Sequence, residues 1–203
     1  MRVTDGETRV SGFRGELARK ALHLLVAILP IAYSRGASRE LIVGLFGTGT
    51  VIALLMEGAR WRSPAFRRVF SRWFGPILKP REHASTTGAA WLWPSCLAAV
   101  LLLSREAAVS AVWCATVGDP LAALAGSGYH TWRGSASGTG KTFAGSAACF
   151  AASFVGIVAL TRYSLTSAAI IALAATVFER LPLTVDDNVR VSAAAGVTAW
   201  LLS

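Results

Sequence analysis

The chain has 203 residues, 54% of them hydrophobic and 15% charged, with a mean hydropathy of +0.52. A soluble domain carries about 25% charged residues, so the composition excludes an ordinary soluble globular protein and points to lipid. The net charge of +9 would suggest nucleic acid, but the basic residues sit between apolar segments. Membrane topology accounts for that placement, and no nucleic-acid partner is expected.

About twenty mixed polar residues precede the first apolar run, which is not the layout of a cleavable signal. Apolar segments then follow at 17–34, 40–57, 87–103, 107–125, 143–161, 163–179 and 189–203. A helix needs about 20 residues to cross 30 Å of hydrocarbon, and shorter ones serve where the bilayer thins. The expectation is one all-α, polytopic domain over residues 1–203 with about seven transmembrane helices. Abundant glycine and alanine suit close helix approach. Cys96, Cys114 and Cys149 lie in apolar stretches without metal or redox spacing, so buried structural thiols are expected.

Charge placement predicts an orientation. With seven spans and a cytoplasmic N-terminus, only Arg35, Arg39, Arg105 and Arg162 fall outside, and the other sixteen basic residues fall inside. The C-terminus is then external, and a bacterial inner membrane is the expected location. One inside connection, residues 58–86, interleaves arginines with aromatic residues. At helical spacing Phe66, Val69, Phe70, Trp73 and Phe74 share one face, with Arg67, Arg68 and Arg72 off it. This predicts an interfacial amphipathic helix against anionic phospholipids, serving as a topology anchor or as the border of a lipid entrance.

Asp119 lies inside the fourth segment, between Gly118 and Pro120. An ionisable residue at that depth is expensive and faces a protein interior or a watery cavity. Helix packing is the plain alternative to a metal, proton or phosphate-linked role. Other polar residues gather toward the same side: Glu57, then Glu82, His83, Thr86, Thr87 and Gly88, then Glu179, and finally Asp186, Asp187 and Asn188. Singly, each reads equally well as a solvated helix end. Together they suggest a site in which carboxylates hold Mg²⁺ and Arg or Lys holds phosphate.

Residues 128–146 add spaced glycines, Gly134, Gly138 and Gly140, followed by Lys141. Backbone amides in such a loop turn toward anions. The GTGKT ending imitates a P-loop, but the first glycine is one position off and a membrane span, not a strand, precedes it. His23 follows Arg19 by four residues on one helical face, which permits a headgroup contact or a purely structural role. Trp91, Trp93 and Trp113 are expected to pack or to face lipid.

Four stretches carry a family likeness: ELARKALH (16–23), REHASTTGA (81–89), GDPLAALAGSGYHTWRGSASGTGKTFAGS (118–146) and ERLPLTVDDNVRVS (179–192). In order and topology they resemble the membrane family of dolichol, phytol and polyprenol kinases and CTP-dependent diacylglycerol kinases. They are more distantly similar to phosphatidate cytidylyltransferases. The chain departs from the family in lacking a proline soon after its DN element, and it has fewer spans than the eukaryotic dolichol kinases.

The resemblance implies Mg²⁺-dependent transfer of the terminal phosphoryl group of a nucleotide, CTP, to a membrane lipid alcohol. It implies Asp119 as a metal ligand and catalytic residue, assisted by Asp186 or Asp187. Lys141, Thr142 and the amides of Gly118, Gly126, Gly138, Gly140 and Gly145 would hold the donor phosphates, with Asn188 on metal or nucleotide. Glu82 would orient the lipid hydroxyl or take its proton. Arg19, His23, Glu57, Thr87 and Gly88 are the substrate or headgroup candidates. The alternatives are CDP-lipid synthesis and, from a different class, a small-solute transporter; the residues do not set the oligomeric state.

Overall fold

A computed structural model describes residues 5–78, 80–132 and 141–203, and among these every regular element is helical. The helices are α1 (Asp5–Val26), α2 (Ile28–Ser34), α3 (Arg39–Arg62), α4 (Pro64–Phe74) and α5 (Gly88–Leu102). They continue as α6 (Arg105–Trp113), α7 (Asp119–Trp132), α8 (Phe143–Leu160), α9 (Leu165–Arg180) and α10 (Asp187–Leu201). A π-helical segment, Cys114–Gly118, joins α6 to α7.

Local chemistry sets these boundaries. The ring of Pro30 lacks a donor and crowds the carbonyl four residues back, so the first helix breaks at Ala27 before resuming as α2. Gly36 turns the chain with φ 107°, and Ser38 caps α3 by accepting from Leu41 N at 3.2 Å. Ser63 caps α4 in the same way, with Pro64 at its first position. Thr142 caps α8 through Gly145 N at 2.9 Å, and Ser164 caps α9.

All seven expected segments fall on helices. Four stretches are long and apolar enough to cross a membrane: Leu17–Ser34, Arg39–Arg62, Arg105–Tyr129 and Phe143–Leu160. The other three fall short in length. At 1.5 Å per residue α5, α9 and α10 reach only about 22–24 Å. Arg105–Tyr129 is the central helix, with 78% of its window buried, against 28% for Leu17–Ser34. The outer surface is rich in large apolar side chains, among them Leu55, Leu102, Val155 and Leu173.

Two cores share α6. One gathers Tyr33, Ile42, Phe46, Leu92, Cys96, Val100 and Val109 from α2, α3, α5 and α6. The other gathers Cys114, Ile157, Ile171, Ala172, Val191 and Ala195 from the central helix, α8, α9 and α10. Small residues permit these approaches: a Cβ on Gly156 would lie 1.8 Å from Trp113 Nε1, which instead donates to Ala152 O at 2.9 Å. Gly49 makes room for Trp93 in the same manner. All three cysteines are free and buried, as expected.

The face expected on α4 divides. Phe66, Phe70 and Phe74 form a run of contacting rings, with centroids 6.2 and 4.9 Å apart, and Phe70 is buried. Val69 and Trp73 stay exposed. At the end of the bundle opposite Asp119, Arg39 donates to Val100 O and Leu101 O and Arg105 donates to Tyr33 O. These two of the four arginines assigned to the outside cap helix C-termini.

Candidate functional site

Lys20 on α1 and Asp119 at the start of α7 meet with Nζ to Oδ2 at 3.1 Å. Both are buried, Lys20 at 3% exposure and Asp119 at 4%. The pair ties the first span to the central one across 99 positions of sequence. Lys141, just before α8, pairs with Glu179 at the end of α9 and lies 3.6 Å from Asp187 Oδ2. Burial opposes its ammonium. The Glu179 hydrogen bond and the charges of Asp187, Glu179 and Asp119 outweigh that and hold its pKa above the usual lysine value.

The start of α10 is held tightly. Asp186 is its N-cap, accepting from Asn188 N at 3.1 Å and from Asn188 Nδ2 at 2.7 Å. Asp187 pairs with Arg190, whose guanidinium also donates to Phe178 O and Leu181 O at the end of α9. Asn188 Nδ2 reaches Gly88 O at 3.3 Å. Gly88 N in turn donates to Glu82 Oε1 at 3.1 Å, so Glu82 serves the first turn of α5. A chain of contacts thus runs from Lys141 through Asp187, Asn188 and Gly88 to Glu82.

Beyond Gly88 lies a second network. Glu57 Oε1 accepts from Arg60 and from Trp61 Nε1 at 2.7 Å. Its Oε2 accepts from Thr87 Oγ1 at 3.0 Å and Thr87 N at 3.4 Å. The buried Arg60 also donates to Glu82 O at 2.6 Å and to Ser85 O, which fastens that turn to α3. This network borders a cavity of 420 Å³ between α1, α3, α4 and α5. Its polar lining is Arg19, His23, Glu57, Glu82, Thr87 and Gly88, and the rest is almost wholly apolar. Every substrate or headgroup candidate from the sequence therefore touches one space, together with Glu82.

The expected metal set is not assembled as a cluster. Among the described residues no three His, Cys, Asp or Glu side chains group as metal ligands. Asp186 is engaged in its cap and Asp187 with Arg190 and Lys141. Asp119 is a hard oxygen donor of the kind that Mg²⁺ takes, and its Oδ2 is held here by Lys20.

Three glycines expected at the cofactor have packing duties. A Cβ on Gly118 would lie 2.5 Å from Ser153 Oγ, on Gly145 2.7 Å from Ala122 O, and on Gly126 3.2 Å from Thr142 Oγ1. They let the central helix and α8 approach each other. Gly134, Gly138 and Gly140 lie outside the described residues.

Sequence reading did not single out Lys20 or Arg60 as working members of these networks, whereas Glu179 was already placed in the common polar cluster. The available signal for Lys20 was its neighbour: a second ionisable residue at the start of a span, with Asp119 alone in an apolar helix to answer it. Comparison with the models of known protein families, with curated proteins and with solved structures finds no match.

Proposed function

We propose that the protein transfers the terminal phosphoryl group of a nucleotide, CTP by the family resemblance, to the hydroxyl of a membrane lipid alcohol. The observation that carries this reading is the buried pairing of Lys20 with Asp119 beside the pairing of Lys141 with Glu179 and Asp187. Two ammonium groups held on carboxylates are ready to move onto phosphate oxygens. The carboxylates they release are ready for the metal that accompanies a nucleotide.

In this reading the chain forms seven spans, with the three short helices crossing a locally thinned bilayer. The basic connections face the cytoplasm, α4 lies at the headgroup layer, and the membrane is a bacterial inner membrane. Mg²⁺, when bound, neutralises the charge that develops on the phosphates. Lys141 and Lys20 would steady the donor, and Asp119 would hold the metal. Glu82 orients the acceptor hydroxyl and takes its proton as the oxygen bonds the terminal phosphorus. The bond from that phosphorus to the bridging oxygen breaks, and a nucleoside diphosphate leaves.

The test is incubation of purified protein with γ-labelled CTP or ATP against undecaprenol, farnesol, phytol and diacylglycerol. Label is expected in a chloroform-extractable product. Absence of label with every pair, or incorporation of the cytidine moiety instead, overturns the proposal.

A further inference from the structure

We infer that α4 docks on a bilayer surface of anionic headgroups, and that this docking holds in place the turn that carries Glu82. The inference rests on the reading above for the membrane and for the chemistry at Glu82. The charge of the partner surface and its control of the site are additional.

The outward side of α4 carries charge that its own surroundings do not neutralise. Arg67, Arg68 and Arg72 are exposed, as is Arg62 at the end of α3, and no acidic residue occurs between Glu57 and Glu82. At helical spacing Arg68 and Arg72 form one strip, and Val69 and Trp73 form the strip beside it. Val69 is 56% exposed and Trp73 76%. A polyanion in solution would pair with the arginines and leave that apolar strip in water. A bilayer surface takes both, with phosphates for the guanidinium groups and the boundary beneath them for the indole and the valine. Anionic lipid in that surface strengthens binding by about fivefold for each arginine near it.

The inward side of the same helix reaches the candidate site. Phe70 is buried and lines the 420 Å³ cavity together with Glu57, Glu82 and Thr87. The Arg60 guanidinium lies over the Phe70 ring, 5.6 Å from its centroid, and donates to Glu82 O at 2.6 Å and to Ser85 O. Arg67 donates to His83 O at 3.1 Å. Both contacts tie α4 to residues 82–85. A helix of this kind is weakly seated by itself. It has 11 residues and one buried side chain, and isolated helices below about 12–15 residues are marginal in water. Docking the outer side therefore steadies Phe70 and Arg67, and through them the turn.

The test reconstitutes the intact protein in vesicles of phosphatidylcholine, alone or with one third phosphatidylglycerol. Val69→Cys carries an environment-sensitive fluorophore, the native thiols being buried. Phosphatidylglycerol should blue-shift its emission, slow amide exchange over residues 82–88 and raise phosphoryl transfer severalfold. Arg68→Gln with Arg72→Gln should abolish all three effects, with the helical content unchanged by circular dichroism. An equal shift in phosphatidylcholine alone, a shift that survives both substitutions, or the same shift on adding polyglutamate to phosphatidylcholine vesicles overturns the docking. A shift without slower exchange over 82–88 overturns the control of the site. Docking and slower exchange without phosphoryl transfer sink the kinase reading alone. Transfer that ignores phosphatidylglycerol sinks this inference alone.

Discussion

Replacing Lys20 with methionine removes the cation from a buried pair and leaves Asp119 without its 3.1 Å partner. At an effective dielectric of about 20, that separation corresponds to an attraction of about 5 kcal/mol. Desolvation offsets part of this when the pair forms, but the cost returns once one partner is deleted. The single variant should lose about 3–5 kcal/mol. For a chain of this size the loss lowers the melting temperature by about 6–20 °C. The assay is thermal unfolding of the purified protein in detergent, followed by circular dichroism. Lys20→Met combined with Asp119→Leu removes both charges and should recover most of the loss. The reasoning is refuted if Lys20→Met melts with the wild type, or if the two substitutions simply add.

Asp119→Asn, tested in the same preparation, should lower phosphoryl transfer about 10²–10³-fold, read as labelled lipid product per minute. Gly156→Ala should cost about 1–3 kcal/mol, because its Cβ would fall on the Trp113 indole, whereas Gly44→Ala meets nothing within 4 Å and should leave thermal stability unchanged or raised. Asp186→Ala should lose about 1 kcal/mol by denaturant titration and Asp186→Ser should not, since serine keeps a capping oxygen. The raised folded-state pKa of Lys141 stabilises the protein below the unfolded lysine value of about 10.4, and that contribution disappears as pH rises through the folded value. Melting curves of wild type and Lys141→Gln should therefore differ at pH 9 and converge as pH climbs beyond 10.4.

Helix placement was largely legible, because runs of apolar residues report burial or lipid contact wherever they occur. All seven segments became helices, and the break near Arg162 became the short turn between α8 and α9. What periodicity does not carry is partnership. Nothing in the spacing of Lys20 and Asp119 announces that they touch, since the contact depends on how α1 lies against α7. The grouping of Glu57, Glu82, Thr87 and Gly88 was visible as a common side, but the use of Arg60 to hold that turn was not. The glycines are ambiguous for a related reason. A missing side chain signals close approach without saying to what, and Gly118, Gly126 and Gly145 turn out to face protein. The expected face of α4 divided because an 11-residue helix packed on a bundle offers only one strip inward, where Phe70 is the buried member of the Phe66–Phe70–Phe74 ring run.

The Lys20–Asp119 tie also bears on how the protein is made. Ribosomes add about 5–20 residues per second, so roughly 5–20 s separate the emergence of the lysine from that of its partner, 99 positions later. In the membrane reading proposed above, the first span waits during that interval with an unanswered ammonium, which its long side chain can lift toward the headgroups. That span is also lightly enclosed, at 28% buried against 78% for the central one. The helix that carries Lys20 is thus fixed only after the central one arrives. Chains stalled before Asp119 should remain open to proteases at their first helix, and chains extended past it should close.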